Sequence, residues 1–258
     1  MNLRTMLATA TAAALLTAGA ATAETVKIGI ASEPYPPFAA PDSAGNWSGW
    51  EVEIANAICA VQEMTCEITP TGWDGIIPSL LGEQIDVIMA SMSITEERAK
   101  KIDFTDHYYK TPAVVVTAKG SGITPDGAGL DGKILGVQAS TTHQAYVQKH
   151  FSDSAAEIRV YQTQDEANQD LYSGRVDAVQ ADSIAMADFV NSDIGACCEI
   201  VGAVADDEAI LGKGVGAGVR KGDDALREQL NAGIAAILEN GTYDEITDKY
   251  FTTTIYSK

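Results

Sequence analysis

Leu81-Gly82-Glu83-Gln84-Ile85-Asp86-Val87-Ile88 runs from the end of an apolar helical stretch, through a glycine, into a buried-type strand. The same succession returns as Ser173-Gly174-Arg175-Val176-Asp177-Ala178-Val179. In each, the glycine ends a helix and a short apolar run bounded by turn residues reads as a strand. Five positions beyond each strand aspartate stands a polar residue placed to open the next helix: Ser91 in the first unit, Asp182 in the second. Open α/β sheets hold ligands at the carboxyl ends of their strands. Two such edges imply two lobes facing one cleft. The competing reading is two ordinary strand-to-helix loops within one sheet.

The flanking sequence repeats the alternation. Val26 to Ile30 reads as a strand, and Glu33-Pro34-Tyr35-Pro36-Pro37-Phe38 is a rigid, non-helical loop at its carboxyl end. Ile54, Ile58 and Val61 recur at helical spacing within Glu51 to Val61. Ile76 to Leu81 begins a helical segment that Gly82 ends, and Ile85 to Ala90 is a buried-type strand. Asp131 to Val137 leads into the second α/β unit, and Leu226 to Leu238 is a late amphipathic helix. The fold class is α/β with largely parallel sheets.

The amino terminus has the pattern of an export signal. Arg4 precedes an apolar stretch from Met6 to Ala21, and Ala21-Thr22-Ala23 supplies a small-residue cleavage site. Residues 1–23 are therefore expected to be removed, leaving a periplasmic chain that begins at Glu24. The apolar stretch is too short, and too broken by Thr and Gly, to span a membrane. The chain carries 17 Lys and Arg against 36 Asp and Glu; losing Arg4 with the leader leaves 16 against 36. So acidic a surface excludes nucleic acid and anionic membranes as partners, and it tolerates cationic ligands.

Four cysteines fall into two pairs. Cys59 and Cys66 are too far apart to bond along one helix, but a helix end turning into a strand brings them together, and an oxidising compartment favours a disulfide there. Cys197 and Cys198 are adjacent, and either free thiols or a vicinal bridge fits. Neither pair has zinc-ligand spacing, and three scattered histidines form no metal cluster. Gly127-Ala128-Gly129-Leu130-Asp131-Gly132 matches a dinucleotide string, but it precedes a strand instead of joining strand to helix, and reads as a loop. No cofactor is expected.

Ser91-Met92-Ser93-Ile94-Thr95-Glu96-Glu97-Arg98 carries the most chemistry. Ser93 with Glu96 has capping-box spacing, so a helix start is expected at the sheet edge. Arg98 lies one turn in, and helical side chains lean toward the amino terminus, so its guanidinium reaches the same place. A planar fork beside free N–H groups suits a carboxylate. Gln138-Ala139-Ser140-Thr141-Thr142-His143 follows the Ile134–Val137 strand and offers amides and hydroxyls for the other side. Asp182 either accepts an ammonium group or simply caps a helix. Tyr35 and Trp73 either wall a ligand or pack in the core.

These residues together resemble the periplasmic amino-acid-binding receptors of ABC importers, in the histidine, lysine/arginine/ornithine and opine branch. The resemblance spans the mature chain, from Val26-Lys27-Ile28-Gly29 to Lys249-Tyr250-Phe251. It rests most on Tyr35-Pro36-Pro37-Phe38, Trp73-Asp74-Gly75-Ile76-Ile77-Pro78-Ser79-Leu80, Met92-Ser93-Ile94-Thr95-Glu96-Glu97-Arg98 and Gly174-Arg175-Val176-Asp177. It implies the type II periplasmic-binding-protein fold, with residues 24–111 and 215–258 in one lobe and 112–214 in the other. Hinges would lie near Lys110–Ala113 and Leu211–Val215.

By the same resemblance, Arg98, Ser93 and Thr142 would hold an α-carboxylate, with Ser91 and Asp182 at the α-ammonium; the amide of Gln138 and the hydroxyl of Thr141 are the further candidates that the residues themselves offer for the carboxylate. Tyr35 and Trp73 would sandwich the ligand side chain, and Glu33 would meet a distal cation. His143 stands where relatives often have Gln. The Cys59/Cys66 pair looks like a disulfide of the histidine-type receptors; Cys197-Cys198 lies outside the pattern. The expected partners are a cationic amino acid and an inner-membrane permease, with the receptor itself a monomer. The competing reading is an exported cyclohexadienyl or arogenate dehydratase on the same fold, with Glu33 or His143 as general acid.

Overall fold

In each of two five-stranded sheets, one strand runs against the other four, and it is the strand that begins just after the chain has passed from one sheet to the other. These observations come from a computed structural model that describes residues 25–256, so the leader and its cleavage site lie outside the described residues.

The first sheet has the strand order Cys66–Thr71, Val26–Ala31, Val87–Ile88, Val215–Val219, Asp103–Tyr109. Val26–Ala31 is parallel to both neighbours, whereas Val215–Val219 is antiparallel to both of its own. The second sheet repeats this plan in the order Glu157–Tyr161, Ile134–Gln138, Ala178–Asp182, Ala113–Ala118, Cys198–Ala203, with Ala113–Ala118 as the reversed strand. A small ribbon of Ala40–Pro41 with Trp47–Ser48 completes the strands. The protein is thus a two-lobed α/β molecule.

The repeated Gly-to-Asp motif has a concrete job. The Asp86 carboxylate accepts the Lys27 peptide N–H at 3.0 Å, and the Asp86 N–H donates to the Lys27 carbonyl at 2.8 Å. Asp177 does the same to Ile134, with both bonds at 2.8 Å. Each aspartate therefore fixes the register of the strand that follows it against a parallel neighbour, Val26–Ala31 in the first sheet and Ile134–Gln138 in the second. A register slip of one residue would turn the apolar side chains outward.

Helices cover the sheets through their apolar faces. Helix Trp50–Val61 buries Trp50, Ile54 and Ile58 against Asp224–Glu239 and Thr242–Tyr250. Val61, which the spacing assigns to the same face, ends the helix exposed. Trp50 is completely buried, edge-on to Tyr109 and Tyr243, and its indole N–H donates to Thr247 Oγ1 at 3.1 Å. Cys59 at the end of that helix is bonded to Cys66 at the start of the next strand. Val215–Val219, an interior strand of its sheet, is glycine-rich because neighbours crowd it: a Cβ at Gly216 would lie 2.7 Å from Ile94 Cδ1.

One local expectation is corrected. The capping box of Ser93 with Glu96 does not form; the cap of helix Glu96–Ala99 is Thr95, whose hydroxyl accepts the Arg98 N–H at 3.3 Å. Residues 92–94 are held extended by backbone bonds to 213–216, including Ile94 N–H to Gly214 O at 2.8 Å. The chain is free to turn into a helix only after that ladder ends. The dinucleotide-like string at 127–132 is a loop, as its position implied.

Candidate functional site

A cavity of about 380 Å³ opens between the two sheets, within the range of small-molecule sites. All ten residues nominated from the sequence line it: Glu33, Tyr35, Trp73, Ser91, Ser93 and Arg98 from the first sheet's side, and Gln138, Thr141, Thr142 and Asp182 from the second's. Loops at the carboxyl ends of strands Val26–Ala31, Val87–Ile88, Ile134–Gln138 and Ala178–Asp182 place most of them there.

Arg98 is the cation of one wall. Its Nη1 donates to the Ser93 carbonyl at 3.0 Å, and its Nη2 reaches the Ser140 carbonyl on the other side at 3.4 Å. The guanidinium lies 5.4 Å from the centre of the Trp73 ring, within cation–π range. It has no carboxylate partner among the described residues, and burial alone brings its pKa down to about 10. A partly desolvated guanidinium without a counter-ion is a ready receptor for an anion.

Trp73 also spans the cleft, its Nε1 donating to the Ala139 carbonyl at 3.2 Å. Its peptide N–H donates to Glu33 Oε2 at 3.0 Å, so Glu33 is anchored beside the indole. Tyr35 is stacked on Phe38 at 5.9 Å and touches the cores of both lobes. Tyr35 and Trp73 make no ring contact with each other among the described residues.

Two buried carboxylates line the cavity. Asp182 caps helix Ser183–Asn191, accepting from the Ile184 N–H at 2.8 Å, while its other oxygen accepts the Thr111 hydroxyl. Burial raises its pKa, and the Thr111 and peptide donors hold it back. Glu51, which the sequence reading did not nominate, is almost wholly buried and lines the cavity. It accepts the Ser91 N–H at 2.9 Å, the Ser91 hydroxyl at 3.0 Å and the Tyr108 hydroxyl. Burial raises its pKa too, against those donors. Glu51 sits in the first turn of a helix read only for its apolar spacing; an acid between Trp50 and Val52 was the available signal.

The wall of the second sheet is built on helix Thr142–His150. Thr141 is its cap, accepting the Gln144 N–H at 3.1 Å and donating to the Gln138 carbonyl at 2.7 Å. The Gln138 amide donates to the Gln162 carbonyl at 3.2 Å. Thr142 opens the helix at the cavity, and Ser93 is held at the other wall by its bridge to Val215. His143 lines the cavity with its Nδ1 buried and without a hydrogen-bond partner; burial, then the Arg98 charge, lowers its pKa to about 4. Ser91 and Ser140, each just beyond a strand, adopt φ values of 53° and 58°, where non-glycine residues are strained, as is common at binding sites. No His, Cys, Asp and Glu cluster suited to a metal occurs among the described residues.

The family model of the bacterial extracellular solute-binding proteins, family 3, matches residues 26–253. The L-arginine-binding protein of Pseudomonas aeruginosa is 40% identical over 232 residues, covering 90% of this chain and 89% of that one. The solved structure of an ancestral arginine-binding protein bound to glutamine aligns with a TM-score of 0.80 at 34% identity, covering 89% and 98% of the two chains. An ancestral amino-acid-binding protein described as a precursor of cyclohexadienyl dehydratase aligns at 0.78 and 30% identity, covering 88% and 96%. The two-lobed architecture is therefore that of the type II periplasmic binding proteins. This chain belongs to the bacterial extracellular solute-binding proteins, family 3.

Proposed function

We propose that this protein is the periplasmic receptor of an ABC importer and captures an L-amino acid, with a preference for cationic side chains of the arginine, lysine, ornithine or histidine type. The observation that carries the reading is one cavity with an uncompensated guanidinium, Arg98, on one wall and a buried carboxylate, Asp182, on the other. Excluding water from a cleft leaves every ligand charge in need of a partner, and an unpaired buried charge costs about several kcal/mol. Arg98 with Ser93 and Thr142 answers a carboxylate, and Asp182 with Ser91 answers an ammonium. Simple acids and simple amines satisfy only one end.

The cationic preference rests on charge balance. The cavity is lined by Glu33, Glu51, Asp182 and Asp206 against Arg98 and Lys110. A zwitterion leaves that acidic excess in place, whereas an additional positive charge near Glu33 offsets part of it. Tyr35 and Trp73 supply flat apolar surfaces for the aliphatic stem.

Capture is followed by delivery to a permease. The two lobes, 24–111 with 215–258 and 112–214, move about the crossings near 110–113 and 211–215, and the closed form is what the permease reads. The receptor is exported with cleavage after Ala23 and acts as a monomer.

Calorimetry of the mature chain with arginine, lysine, histidine, glutamine and glutamate tests both levels. Heat with glutamine or glutamate alone would overturn the cationic preference, and heat with none would overturn the receptor reading. The dehydratase alternative, favoured by the likeness to a dehydratase precursor, needs a proton donor in the cleft. Of the two residues nominated for that role, His143, with its pKa near 4, is not an imidazolium acid at neutral pH, and Glu33 is engaged as an acceptor of the Trp73 N–H. Incubation with prephenate or arogenate is expected to yield no aromatic product.

A further inference from the structure

The adjacent cysteines of the second lobe belong to neither the cavity nor the core disulfide. They lie where the turn Gly195–Cys197 enters the strand Cys198–Ala203, on the edge of the second sheet. Cys197 is exposed and Cys198 is buried among Val114, Val116 and Phe189. Their sulfurs are 2.9 Å apart. That is well inside ordinary sulfur–sulfur contact, and about 0.9 Å of approach separates it from a bond.

The surroundings hold this pair in place. Ser192 Oγ donates to the Phe189 carbonyl at 2.7 Å and accepts the Gly195 N–H at 3.1 Å. Gly195 passes so close to the preceding helix that a Cβ there would collide with the Phe189 carbonyl. The Lys119 peptide N–H donates to the Cys197 carbonyl at 2.9 Å, and the Lys119 ammonium donates to the Ala196 carbonyl at 2.7 Å. The turn is thus bonded on both sides of the sulfurs, with a cation beside them. Glu199, bonded to the Gly120 N–H at 2.7 Å, is the nearby acid.

We propose that Cys197 and Cys198 form a vicinal dithiol site that reacts with external disulfides and closes into a second disulfide of the chain. Cys197 loses its proton to water and its thiolate attacks one sulfur of a donor disulfide, breaking the donor bond and releasing one donor thiolate. Cys198 then gives up its proton and attacks the Cys197 sulfur, expelling the second donor thiolate. The pair is oxidised by two electrons, and the donor disulfide is reduced to two thiols.

The division of roles follows from access. Burial, and then the hydrogen bond with Cys197, push the Cys198 thiol up to about 12, with Lys119 holding it back. Cys198 is therefore a poor first nucleophile. It need only meet a sulfur already beside it, where proximity substitutes for thiolate population. An exposed lone thiol in an oxidising compartment would instead persist as an adduct or cross-link two chains.

The test uses the mature chain with Cys59–Cys66 intact, incubated with oxidised glutathione and followed by thiol titration under denaturing conditions and by intact mass. The wild type is expected to lose both titratable thiols and two hydrogens of mass, without retaining glutathione. Cys198→Ser is expected to keep a stable glutathione adduct or form a disulfide dimer, and Cys197→Ser to remain unmodified. Two thiols still free in the wild type, or a stable wild-type adduct, would overturn the proposal. The wild-type result stands alone should either variant fail to fold.

Discussion

Ser91 gives both its peptide N–H and its hydroxyl proton to the Glu51 carboxylate, at 2.9 and 3.0 Å. A serine hydroxyl has one proton and two acceptor lone pairs. With the proton committed behind it, Ser91 presents only lone pairs to the cavity. It becomes an obligatory acceptor on the wall proposed to take an ammonium group. In the proposed complex Glu51 would thereby act on the ligand through Ser91, a positioning role.

Glu51→Gln preserves size but replaces one acceptor oxygen with a donating amide, so the Ser91 proton is freed to point into the cavity. Arginine affinity is expected to fall by about 1–1.5 kcal/mol, roughly tenfold. Ser91→Ala is expected to lose a similar amount, and the double variant little more. Calorimetry on the three variants checks this coupling; fully additive losses would separate Glu51 from Ser91.

Asp182 serves two roles that a pair of substitutions separates. Asparagine is as good a helix cap as aspartate, whereas alanine costs about 1 kcal/mol of stability. Asp182→Asn is therefore expected to keep Tm close to wild type while losing affinity at least about 100-fold, the cost of an unpaired ligand ammonium. Asp182→Ala should lose both. Unchanged affinity in the Asn variant would reduce Asp182 to a cap.

His143 gives a pH signature. Its folded pKa, near 4, lies below its ordinary value of 6.5, so the unfolded chain binds the proton first. Stability due to neutral His143 is complete above pH 6.5 and is lost as pH falls toward 4, by at most about 3 kcal/mol. Glu51 and Asp182, with raised pKa values, act in the opposite direction over acidic pH. The clean observable is thus a difference: relative to wild type, His143→Gln should become more stable as pH drops from 7 to 4. Parallel stability curves for the two proteins would contradict this.

The Cys59–Cys66 bond ties the end of helix Trp50–Val61 to the edge strand Cys66–Thr71. Replacing both with serine is expected to lower unfolding free energy by about 2–3 kcal/mol, the loop-closure value for so short a loop, measured by urea denaturation. Arginine affinity should be unaffected, since neither cysteine lines the cavity.

The readability of the sequence differed with the physics behind each feature. The two lobes were legible because Asp86 and Asp177 perform the same register-fixing task in each sheet, and identical tasks leave similar strings. The ten cavity residues were legible because they stand at or just beyond the carboxyl ends of strands, within short distinctive motifs. Glu51 was not, because its role depends on Ser91 and Tyr108 being folded against it from distant segments. The Ser93 cap was misplaced for a related reason. Local spacing favoured it, but the ladder from 92–94 to 213–216 joins segments more than a lobe apart in sequence. Val215–Val219 escaped notice as a strand because its glycines answer crowding by Ile94 and Ile102, which no local propensity reports.

The central claim is that the cleft binds both ends of an α-amino acid, with Arg98 answering the carboxylate. Titration calorimetry of the mature chain with L-arginine and with agmatine, which keeps the guanidinium but lacks the carboxylate, tests it most directly. Arginine is expected to bind and agmatine to bind weaker by about 3 kcal/mol or more, roughly 150-fold, because Arg98 is then left unpaired in a closed cleft. Equal affinities for the two ligands would contradict it.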